Sequence, residues 1–477
     1  MPEYDCLIIG AGSGGIGAAI AAGRRGLRVL VVEKAPGIGG TAVRAGVHAW
    51  EPVAGATGIP FEIYRRLTAH ENAVAITSLD RHLLWDDTQP PWPGSLKVPD
   101  PDRTYADTLQ RHGARSMAQD EGFCRRVFHS VIFEPRPYVR VVEAMLDEAG
   151  CDVRCGTAFV SADVRDGHVC SVQLDDGSSI SAHTYLDCSA DAVVCEACGC
   201  EIMFGQQARG RFDEPHAPDN PGTRINGATL VYRVTPAQSP AIEPLPNGVP
   251  ADCWWRDHFP SAAFNQYPCT DLNINMLPTL SGEELSSLGY EAGMAEARRR
   301  IRAHWHDLQT RYELFRRYRM RWIAPELGVR EGPRVVTEYV LNENDLLAGL
   351  SGQCHNDIIA IADHAMDTHG SGGGCEELAE PYGVPYRCLL PEGFDNLLVA
   401  CRGAGFSSIA ASSCRLSRTM MQLGQAAGIA AAIATERSIP ASNISTDTLR
   451  GQLHRHQVQL EWPMAARLRA YLSSPAR

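Results

Sequence analysis

The run GAGSGG at residues 10–15 limits the folds open to this chain more than any other stretch. It follows the apolar run CLII, whose unbroken hydrophobicity is typical of a parallel strand buried on both faces. Apolar residues after it recur at helical spacing, and RVLVVEK then predicts a second buried strand that ends in Glu33. Strand, glycine turn, helix, strand and terminal acid together form a dinucleotide-binding fingerprint.

Each residue of the fingerprint has its own physical task. Gly10 makes the tight turn, Gly12 lets a pyrophosphate approach the backbone, and Gly15 lets the helix pack closely on the strand. The helix N-terminus offers free N–H groups and partial positive charge to the phosphates, and Glu33 accepts hydrogen bonds from an adenosine ribose. The sequence therefore predicts a bound dinucleotide, with a purely structural glycine turn as the alternative.

Length and charge restrict the kinds of partner. The chain has 477 residues, enough for two domains with large cores, and a formal net charge of −12. The negative charge and the lack of a basic run argue against nucleic acid. No apolar stretch in the sequence is long enough to span a membrane and no basic leader is visible, so we expect a cytoplasmic protein.

The sixteen cysteines are scattered and do not have the spacing of a small disulfide scaffold, so we expect reduced thiols. The run CEACGC at residues 195–200 is compatible with part of an iron–sulfur or zinc site. A fourth ligand has no obvious source, and buried cysteines acting as small hydrophobes are the alternative. We therefore predict no metal.

The C-terminal region returns to the buried-strand character of the start. NLLVACRGAG predicts a strand that enters a glycine turn, and RTMMQLGQAAGIAAAIATE predicts a small-residue helix packed closely on a sheet. Residues 60–120 have an irregular pattern. Residues 151–191 alternate like a small antiparallel sheet, with hairpins at Asp166-Gly167 and Asp176-Gly177. The middle of the chain, with scattered prolines and one long charged helix, has the character of a separate unit.

Motifs along nearly the whole chain resemble one known family. GIGGT at residues 37–41 follows the first fingerprint, TYLDCSAD forms a third motif, and GVREGPRVVTEYVLNENDL, DTHG and YGVPYRCLLP come later. With the C-terminal strand and helix, they resemble the two-domain FAD-dependent oxidoreductases of the glutathione-reductase structural superfamily. Within it the chain is most similar to the bacterial FAD dependent oxidoreductase family, distantly related to fumarate reductase and succinate dehydrogenase flavoproteins. One departure is Ser189-Ala190, where the family has Thr-Gly.

The order of the motifs favours FAD over NAD. A second glycine turn follows the acidic strand at once, and the sheet is completed only near residue 400, whereas NAD dehydrogenases usually continue through a consecutive doubly wound sheet. We therefore predict an α/β fold: a Rossmann-like FAD-binding domain built from split sequence segments, plus an inserted α+β substrate or cap domain. The predicted boundaries are 1–200 and 375–440 for the two parts of the FAD-binding domain, 201–325 for the substrate domain, 326–374 for an interdomain active-site segment and 441–477 for a C-terminal extension.

The resemblance implies a set of cofactor-binding residues. The two glycine turns approach the pyrophosphate and ribityl chain, and the backbone of Phe159 meets the adenine. Arg402 and Gly403 close the far side of the cofactor, and the helix that begins near Thr419 directs its N-terminus at the flavin. The full set is Gly10, Gly12, Ser13, Gly14, Gly15, Glu33, Lys34, Gly39, Gly40, Thr41, Arg44, Phe159, Ser189, Ala190, Arg402, Gly403 and Thr419.

The segments that resemble the flavin-facing part of the family supply the catalytic candidates: His369, Arg330, Tyr386 and His48. His369 suits a general base, or a structural hydrogen bond at a domain seam. Arg330 suits a clamp for an anionic substrate group, or an ion pair with Glu331 or Glu338. His48 follows the second glycine turn, where covalent flavin attachment is an alternative.

Three functions are consistent with these motifs. The leading one is an FAD-dependent dehydrogenase or oxidase that transfers hydride from an alcohol or amine carbon of a small polar metabolite to flavin N5. The second is a reductase of an activated alkene, for which the sequence shows no evident cluster of cationic groups. The third is a non-catalytic flavoprotein subunit. The substrate, the electron acceptor (oxygen or a carrier protein) and the oligomeric state stay open.

Overall fold

The computed structural model describes residues 3–81, 94–113, 121–255, 262–276, 278–368 and 375–474. In chain order the strands are β1 (Tyr4–Ile9), β2 (Val29–Glu33), β3 (Ala49–Trp50), β4 (Val74–Arg81), β5 (Gly94–Pro99), β6 (Ser130–Phe133), β7 (Cys151–Cys155), β8 (Phe159–Arg165), β9 (His168–Leu174), β10 (Ser179–Ile180), β11 (Ala182–Asp187), β12 (Ile202–Met203), β13 (Tyr232–Pro236), β14 (Ala262–Gln266), β15 (Leu272–Met276), β16 (Tyr318–Ile323), β17 (Arg334–Val335), β18 (Ile358–Ala362), β19 (Met366–Asp367), β20 (Cys375–Glu376), β21 (Tyr382–Pro385) and β22 (Leu397–Val399). The α-helices are α1 (Ser13–Gly23), α2 (Ile59–Leu67), α3 (Glu121–Val127), α4 (Pro135–Glu148), α5 (Val193–Ala197), α6 (Arg209–Phe212), α7 (Gly282–Arg311), α8 (Glu343–Gly352), α9 (Ser408–Ser413), α10 (Ser417–Arg437), α11 (Thr446–Arg455) and α12 (Ala466–Ser473).

Five strands form a parallel sheet in the order β22-β11-β1-β2-β7. β1 lies between β2 and β11, and β11 pairs with β22, where Tyr185 lies beside Leu397. β2 is buried throughout, as its unbroken apolar run predicted. A strand from near residue 400 thus completes the sheet that the first residues begin. This confirms the predicted Rossmann-like domain built from split segments.

The helices α1 and α10 pack on each other through small residues. A Cβ atom at Gly424 would lie 1.9 Å from the carbonyl oxygen of Gly14, and one at Gly428 would lie 2.2 Å from that of Ala18. Both distances are far below a van der Waals contact, so the two backbones touch only because these positions carry no side chain. The C-terminal helix does pack closely, but these contacts are with helix α1, whereas the sequence predicted close packing on a sheet.

A small antiparallel sheet in the order β10-β9-β8 lies beside the parallel sheet. Asp166 and Gly167, between β8 and β9, both have positive φ, at 49° and 75°. A two-residue turn with both residues in this region matches the twist of the flanking strands. Gly177, in the turn before β10, has a φ of 84°. Both predicted hairpins are confirmed.

A second sheet has eight strands in the order β16-β13-β15-β14-β5-β4-β6-β3. Phe264 and Ile274, on one face, belong to a core that also contains Trp305 of α7. The sequence pattern across residues 60–120 is irregular, yet the described part of this stretch contains α2, β4 and β5. Strand β5 pairs with β14, more than 160 residues further along the chain, which local pattern does not reveal. The domain boundary at residue 201 stays a prediction, and this sheet takes strands from both sides of it.

The CEACGC run overlaps the end of α5, and Cys195 is fully buried there, as a small hydrophobe is. All sixteen cysteines are free thiols. Across the described ranges, no group of three or more His, Cys, Asp or Glu side chains is placed to hold a metal ion. Within those same ranges, no helix has both the length and the apolar character needed to cross a membrane.

Candidate functional site

A cavity of about 1220 Å³ lies between the two large sheets. One part of its wall consists of residues at the carboxyl ends of β1, β2, β11 and β22, where ligands bind in open parallel sheets. Another part is a face of the eight-stranded sheet. The cavity is larger than the roughly 300–1,000 Å³ of a site for one small ligand. It therefore has room for a dinucleotide and a second molecule.

The first glycine turn has a shape that only small residues permit. Gly10 has a φ of 104°, and a Cβ atom there would lie 2.4 Å from the carbonyl oxygen of Cys188. A Cβ atom at Gly15 would lie 1.8 Å from the carbonyl oxygen of Gly10. At Gly12, by contrast, a Cβ atom would meet no heavy atom within 4 Å and would project into the cavity. The turn thus leaves open the space that a pyrophosphate needs.

The polar groups around this turn also fit a dinucleotide. Helix α1 begins after Gly12 with no side-chain cap, so the first amides of the helix have no side-chain acceptor. Glu33 lies on the cavity wall, and its two carboxylate oxygens accept hydrogen bonds from the amides of Ala11 and Ala35, both at 2.8 Å. Each oxygen keeps a lone pair for a ribose hydroxyl. Phosphates and ribose therefore both have partners at this end of the cavity.

A separate part of the wall carries cationic side chains: Lys97, Arg111, Arg330, Arg415 and Arg418. Three of them have carboxylate partners: Lys97 with Glu51 at 2.9 Å, Arg111 with Glu377 at 2.8 Å and Arg415 with Asp367 at 3.3 Å. Arg418 donates instead to the hydroxyl of Thr108 and to the carbonyl of Glu51. Arg330 donates to the carbonyl of Gly227 at 2.9 Å and has no ion pair within the described residues. This part of the cavity favours anions.

His364 lies among these cations and is buried. Its Nδ1 donates to the carbonyl oxygen of Ala365 at 2.9 Å, which leaves Nε2 as the atom with the lone pair. Burial, reinforced by the charges of Arg111 and Arg415, holds the pKa of His364 well below its ordinary value. The imidazole is therefore neutral at physiological pH.

A family model described as FAD dependent oxidoreductase matches residues 5–453 of the chain. The chain belongs to this family. FAD is therefore the dinucleotide of this oxidoreductase, as the glycine turns and Glu33 indicated.

Two curated relatives of this FAD dependent oxidoreductase match over short stretches. A 3-oxosteroid 1-dehydrogenase of Mycobacterium tuberculosis is 46% identical over 52 residues, which are 11% of this chain and 9% of that enzyme. Dihydrolipoyl dehydrogenase 3 of Pseudomonas aeruginosa is 44% identical over 68 residues, 13% of this chain and 15% of that enzyme. The matched stretches cover less than a sixth of either relative.

Two solved structures align over most of the oxidoreductase. A geranylgeranyl bacteriochlorophyll reductase-like protein of Thermoplasma acidophilum is 12% identical, with a TM-score of 0.42 and coverage of 98% of this chain and 95% of that one. The L-amino acid deaminase of Proteus myxofaciens is 11% identical, with a TM-score of 0.43 and coverage of 94% and 93%. TM-scores this low do not bear on function.

Most of the predicted cofactor-binding residues of the oxidoreductase line the cavity. These are Gly10, Gly12, Ser13, Gly14, Glu33, Lys34, Gly40, Thr41, Arg44, Phe159, Ser189, Ala190 and Arg402. The others, Gly15, Gly39, Gly403 and Thr419, do not line it. Thr419 is fully buried. At the start of α10 it is the preceding residues, Ser417 and Arg418, that line the cavity. Direct binding of FAD by each of these residues stays a prediction.

The departure at Ser189-Ala190 has a structural compensation. Asp187 Oδ1, at the end of β11, accepts hydrogen bonds from both the amide and the hydroxyl of Ser189. Ala190 has a φ of 74°, which lies in the left-handed region of backbone conformation. Glycine, the residue that the family has here, adopts this region most readily. The loop therefore keeps its turn without glycine, and both residues line the cavity.

Two catalytic candidates lie outside the cavity wall. His48 is buried, its Nδ1 is 2.5 Å from the hydroxyl of Tyr267, and its ring stacks on Trp322. Burial lowers the pKa of His48 to about 3. Tyr386 is buried and donates to the carbonyl of Ala441 at 3.1 Å, and burial raises the pKa of its phenol. Neither side chain lines the cavity, and both have structural partners.

Arg330 is the catalytic candidate that does line the cavity, and His369 lies outside the described residues. Sequence reasoning identified Arg330 but not His364, Arg111 or Arg415. It also found no evident cluster of cationic groups, whereas the structure shows one on the cavity wall. Little in the sequence indicates this cluster: HAMD (residues 364–367) and DTHG overlap at Asp367, and SSCRLSR (residues 412–418) runs into the start of α10, but no spacing rule joins these segments to residue 111. Only the folded chain brings them together.

Proposed function

We propose that this protein oxidises an alcohol or amine carbon of a small metabolite that carries an anionic group. FAD supplies the redox chemistry, because its flavin accepts a hydride. The observation that carries the proposal is the enclosed guanidinium of Arg330 on the cavity wall, which has no carboxylate partner within the described residues. An anionic substrate group would complete this pair.

The environment of Arg330 supports this role. Removal from water, together with the charge of Arg415, lowers the pKa of Arg330 to about 9. The charge of Asp367 partly stabilises the Arg330 cation, although Asp367 forms its ion pair with Arg415. A bound carboxylate would relieve more of the cost of burying the cation while forming two parallel hydrogen bonds. The neighbouring Arg415 already donates a hydrogen bond to the carboxylate of Asp367. Arg330 is therefore the cation best placed to hold and orient the substrate.

His364 suits the proton transfer that accompanies oxidation. The C–H bond of the substrate breaks with its electron pair leaving as hydride, and the hydroxyl or ammonium group must lose one proton. Nε2 of His364 is the lone-pair atom of a neutral imidazole, and His364 and Arg330 line the same cavity. A positioned base of this kind contributes about 10² to 10⁴ in rate. His364 is therefore proposed as the base, with His369 as the other candidate.

Reduction of an activated alkene is the second candidate, and the cationic cluster favours it. A dicarboxylate would need two anion sites, and the cationic part of the wall described above carries five of the eight Lys and Arg side chains that line the cavity. Three of these are already paired with carboxylates, however. Reduction also needs a proton donor, and the one N–H of neutral His364 is bonded to the backbone. These points favour oxidation.

The test is anaerobic mixing of the FAD-loaded protein with a panel of 2-hydroxy acids, amino acids and uncharged alcohols. Bleaching of the flavin by an anionic compound, with the uncharged alcohol of the same skeleton inactive, is the expected result. Reduction by uncharged alcohols alone would overturn the anionic part of the proposal. If chemically reduced protein is instead reoxidised by an unsaturated dicarboxylate and no compound bleaches the flavin, alkene reduction is the activity.

A further inference from the structure

The carboxylates of the cavity wall already have partners. Those that line the cavity in the described ranges are Glu33, Glu51, Asp191, Glu326 and Asp367. Ion pairs to other lining residues join Glu51 with Lys97 at 2.9 Å, Asp191 with Arg402 at 2.6 Å, Glu326 with Arg44 at 2.5 Å and Asp367 with Arg415 at 3.3 Å. Glu33 accepts two backbone amides at the end that suits the dinucleotide ribose. Within the described wall, each carboxylate near Arg330 is thus already neutralised by a cation.

Cations outnumber carboxylates in the part of the wall around Arg330. The five cationic side chains there are Lys97, Arg111, Arg330, Arg415 and Arg418, and their three carboxylate partners are Glu51, Glu377 and Asp367. Arg330 donates to a backbone carbonyl, and Arg418 donates to backbone carbonyls and to the hydroxyl of Thr108. These acceptors are neutral. Five positive and three negative charges therefore leave two positive charges uncompensated, which we call the charge surplus.

The cations of this part lie close enough to act on one another. Burial and the charge of Arg415 lower the pKa of Arg330. Burial lowers the pKa of Arg415 as well, and Arg111 adds to this effect while the nearby carboxylates oppose it. A charge acts through space, so a side chain that no ligand touches still contributes, and an enclosed cavity screens it less than open solvent does. The charge surplus therefore acts at the place where Arg330 would hold an anion.

A hydroxy acid and the amino acid of the same skeleton bring different charges to this place. At neutral pH the carboxylate of both is ionised, and the amino acid also carries an ammonium group. That ammonium lies close to the carboxylate in the molecule, so it would enter among the cations beside Arg330. Like charges repel, and the ammonium would also lose its hydration in the enclosed cavity. A hydroxyl group carries no charge and meets no such repulsion.

We propose that the charge surplus around Arg330 makes this oxidoreductase select hydroxy acids over amino acids, so that the oxidised carbon carries a hydroxyl group. This inference rests on the proposed function, because Arg330 supplies the anion site, and it decides between the alcohol and the amine. The carbon loses its hydrogen with the bonding electron pair as hydride, which the flavin accepts, the hydroxyl loses its proton, and the product is an oxo acid. Arg415 is a specificity-determining residue, because it neutralises Asp367, a carboxylate on the same wall that could otherwise receive an ammonium.

The experiment compares matched pairs of acids on the FAD-loaded protein: lactate with alanine, malate with aspartate, and 3-phenyllactate with phenylalanine, each as both enantiomers. The change in flavin absorbance gives the dissociation constant, and anaerobic bleaching gives the reduction rate. In each pair that binds, we expect the hydroxy acid to bind at least about tenfold more tightly than the amino acid, because only the amino acid brings a positive charge. We also expect the compound that bleaches the flavin to be a hydroxy acid.

Two variants of Arg415 separate charge from shape. Arg415→Gln removes one cation and the ion pair of Asp367, so it should lower the preference for the hydroxy acid about tenfold, through tighter binding of the amino acid. Arg415→Lys keeps the charge and should keep the preference near its wild-type value. The matched control is Arg387→Gln, which removes an arginine that does not line the cavity and should leave the preference unchanged.

The outcomes separate this inference from the proposed function. If the amino acids bind wild-type protein as tightly as their hydroxy partners, and Arg330→Gln weakens both, the anion site stands and selection by charge is refuted. If Arg415→Gln retains FAD and the wild-type preference, or if Arg415→Lys loses the preference to the same extent, charge does not set the preference and the inference is wrong. If Arg415→Gln loses FAD, the comparison of the pairs on wild-type protein decides. If no acid of the panel binds to wild-type protein, both the proposed function and this inference fail.

Discussion

Glu331 forms its ion pair with Arg334, at 2.6 Å, and not with Arg330, its neighbour in the chain. Arg334 is fully buried and also donates to the carbonyl oxygens of Phe406 and Gly205. The ion pair with Glu331, which the sequence suggested for Arg330, is thus formed by Arg334. Arg330 is left with one backbone hydrogen bond and faces the cavity, which is the basis of its proposed role in substrate binding.

Arg330→Gln should therefore weaken binding of anionic substrates and analogues. A hydrogen bond to a charged group contributes about 1.5–3 kcal/mol, so we expect the dissociation constant to rise roughly 10- to 150-fold. FAD content should stay at the wild-type level. The control, Arg387→Gln, removes an arginine that pairs with Asp357 and does not line the cavity. Equal effects of both variants on carboxylate binding would contradict the assignment.

Gly12→Val should abolish FAD binding without unfolding the protein. A Cβ atom at Gly12 meets no protein atom within 4 Å, so the valine side chain is expected to occupy the cavity where the pyrophosphate belongs. Gly451→Val is the matched control, because a Cβ there also meets nothing within 4 Å and lies in α11, away from the cavity. Flavin absorbance and thermal unfolding of the two purified variants check this prediction. Flavin retained at wild-type stoichiometry in Gly12→Val would contradict it.

The cofactor end of the site was predictable because its information is local. Gly10, Gly12 and Glu33 lie within one strand-turn-helix-strand unit, and each residue type is required by backbone geometry or by a hydrogen bond inside that unit. The return strand β22 was predictable for a related reason, since its apolar run suits only the interior of a parallel sheet.

The substrate end was not predictable, because it depends on pairings between distant segments. Lys97 and Asn265 become neighbours only when β5 and β14 pair, across more than 160 residues. Strand β4 has an irregular burial pattern and acquires its register from β5 and β6. Arg330 and Arg334 both lie near Glu331 in the sequence, and which of them pairs with it depends on which side chain the fold buries.

Tyr386→Phe should leave flavin reduction unchanged and lower stability slightly. The phenol donates one hydrogen bond to the carbonyl of Ala441 and does not line the cavity. Loss of a single buried hydrogen bond costs about 1 kcal/mol. Urea unfolding and stopped-flow reduction of the same preparation check both parts. A reduction rate that falls tenfold or more would restore Tyr386 as a catalytic residue.

The stability of the protein should fall in acid partly because of His48. Burial lowers the pKa of His48 to about 3, whereas an unfolded histidine titrates near 6.5. Between these values the unfolded chain binds the extra proton, so stability is lost as pH falls below about 6.5. Down to pH 5 the loss amounts to about 2 kcal/mol. His48→Gln should reduce the pH dependence of urea unfolding between pH 7 and pH 5, and His70→Gln, at an exposed position, should not. Identical pH dependence in all three proteins would show that His48 does not contribute.

His364→Ala should keep FAD and slow flavin reduction about 10² to 10⁴ times, because it removes the proposed base. Burial and the nearby cations hold the pKa of His364 well below its usual value, so the base is already neutral above pH 6.5. The reduction rate of wild-type protein should therefore be flat from pH 6.5 to 8 and fall only in acid, as the imidazole becomes protonated. A parallel His369→Ala variant separates the two candidates. If that variant loses reduction and His364→Ala does not, and if the wild-type rate rises through an ionisation near pH 6.5, the base is His369 and the role assigned to His364 is wrong.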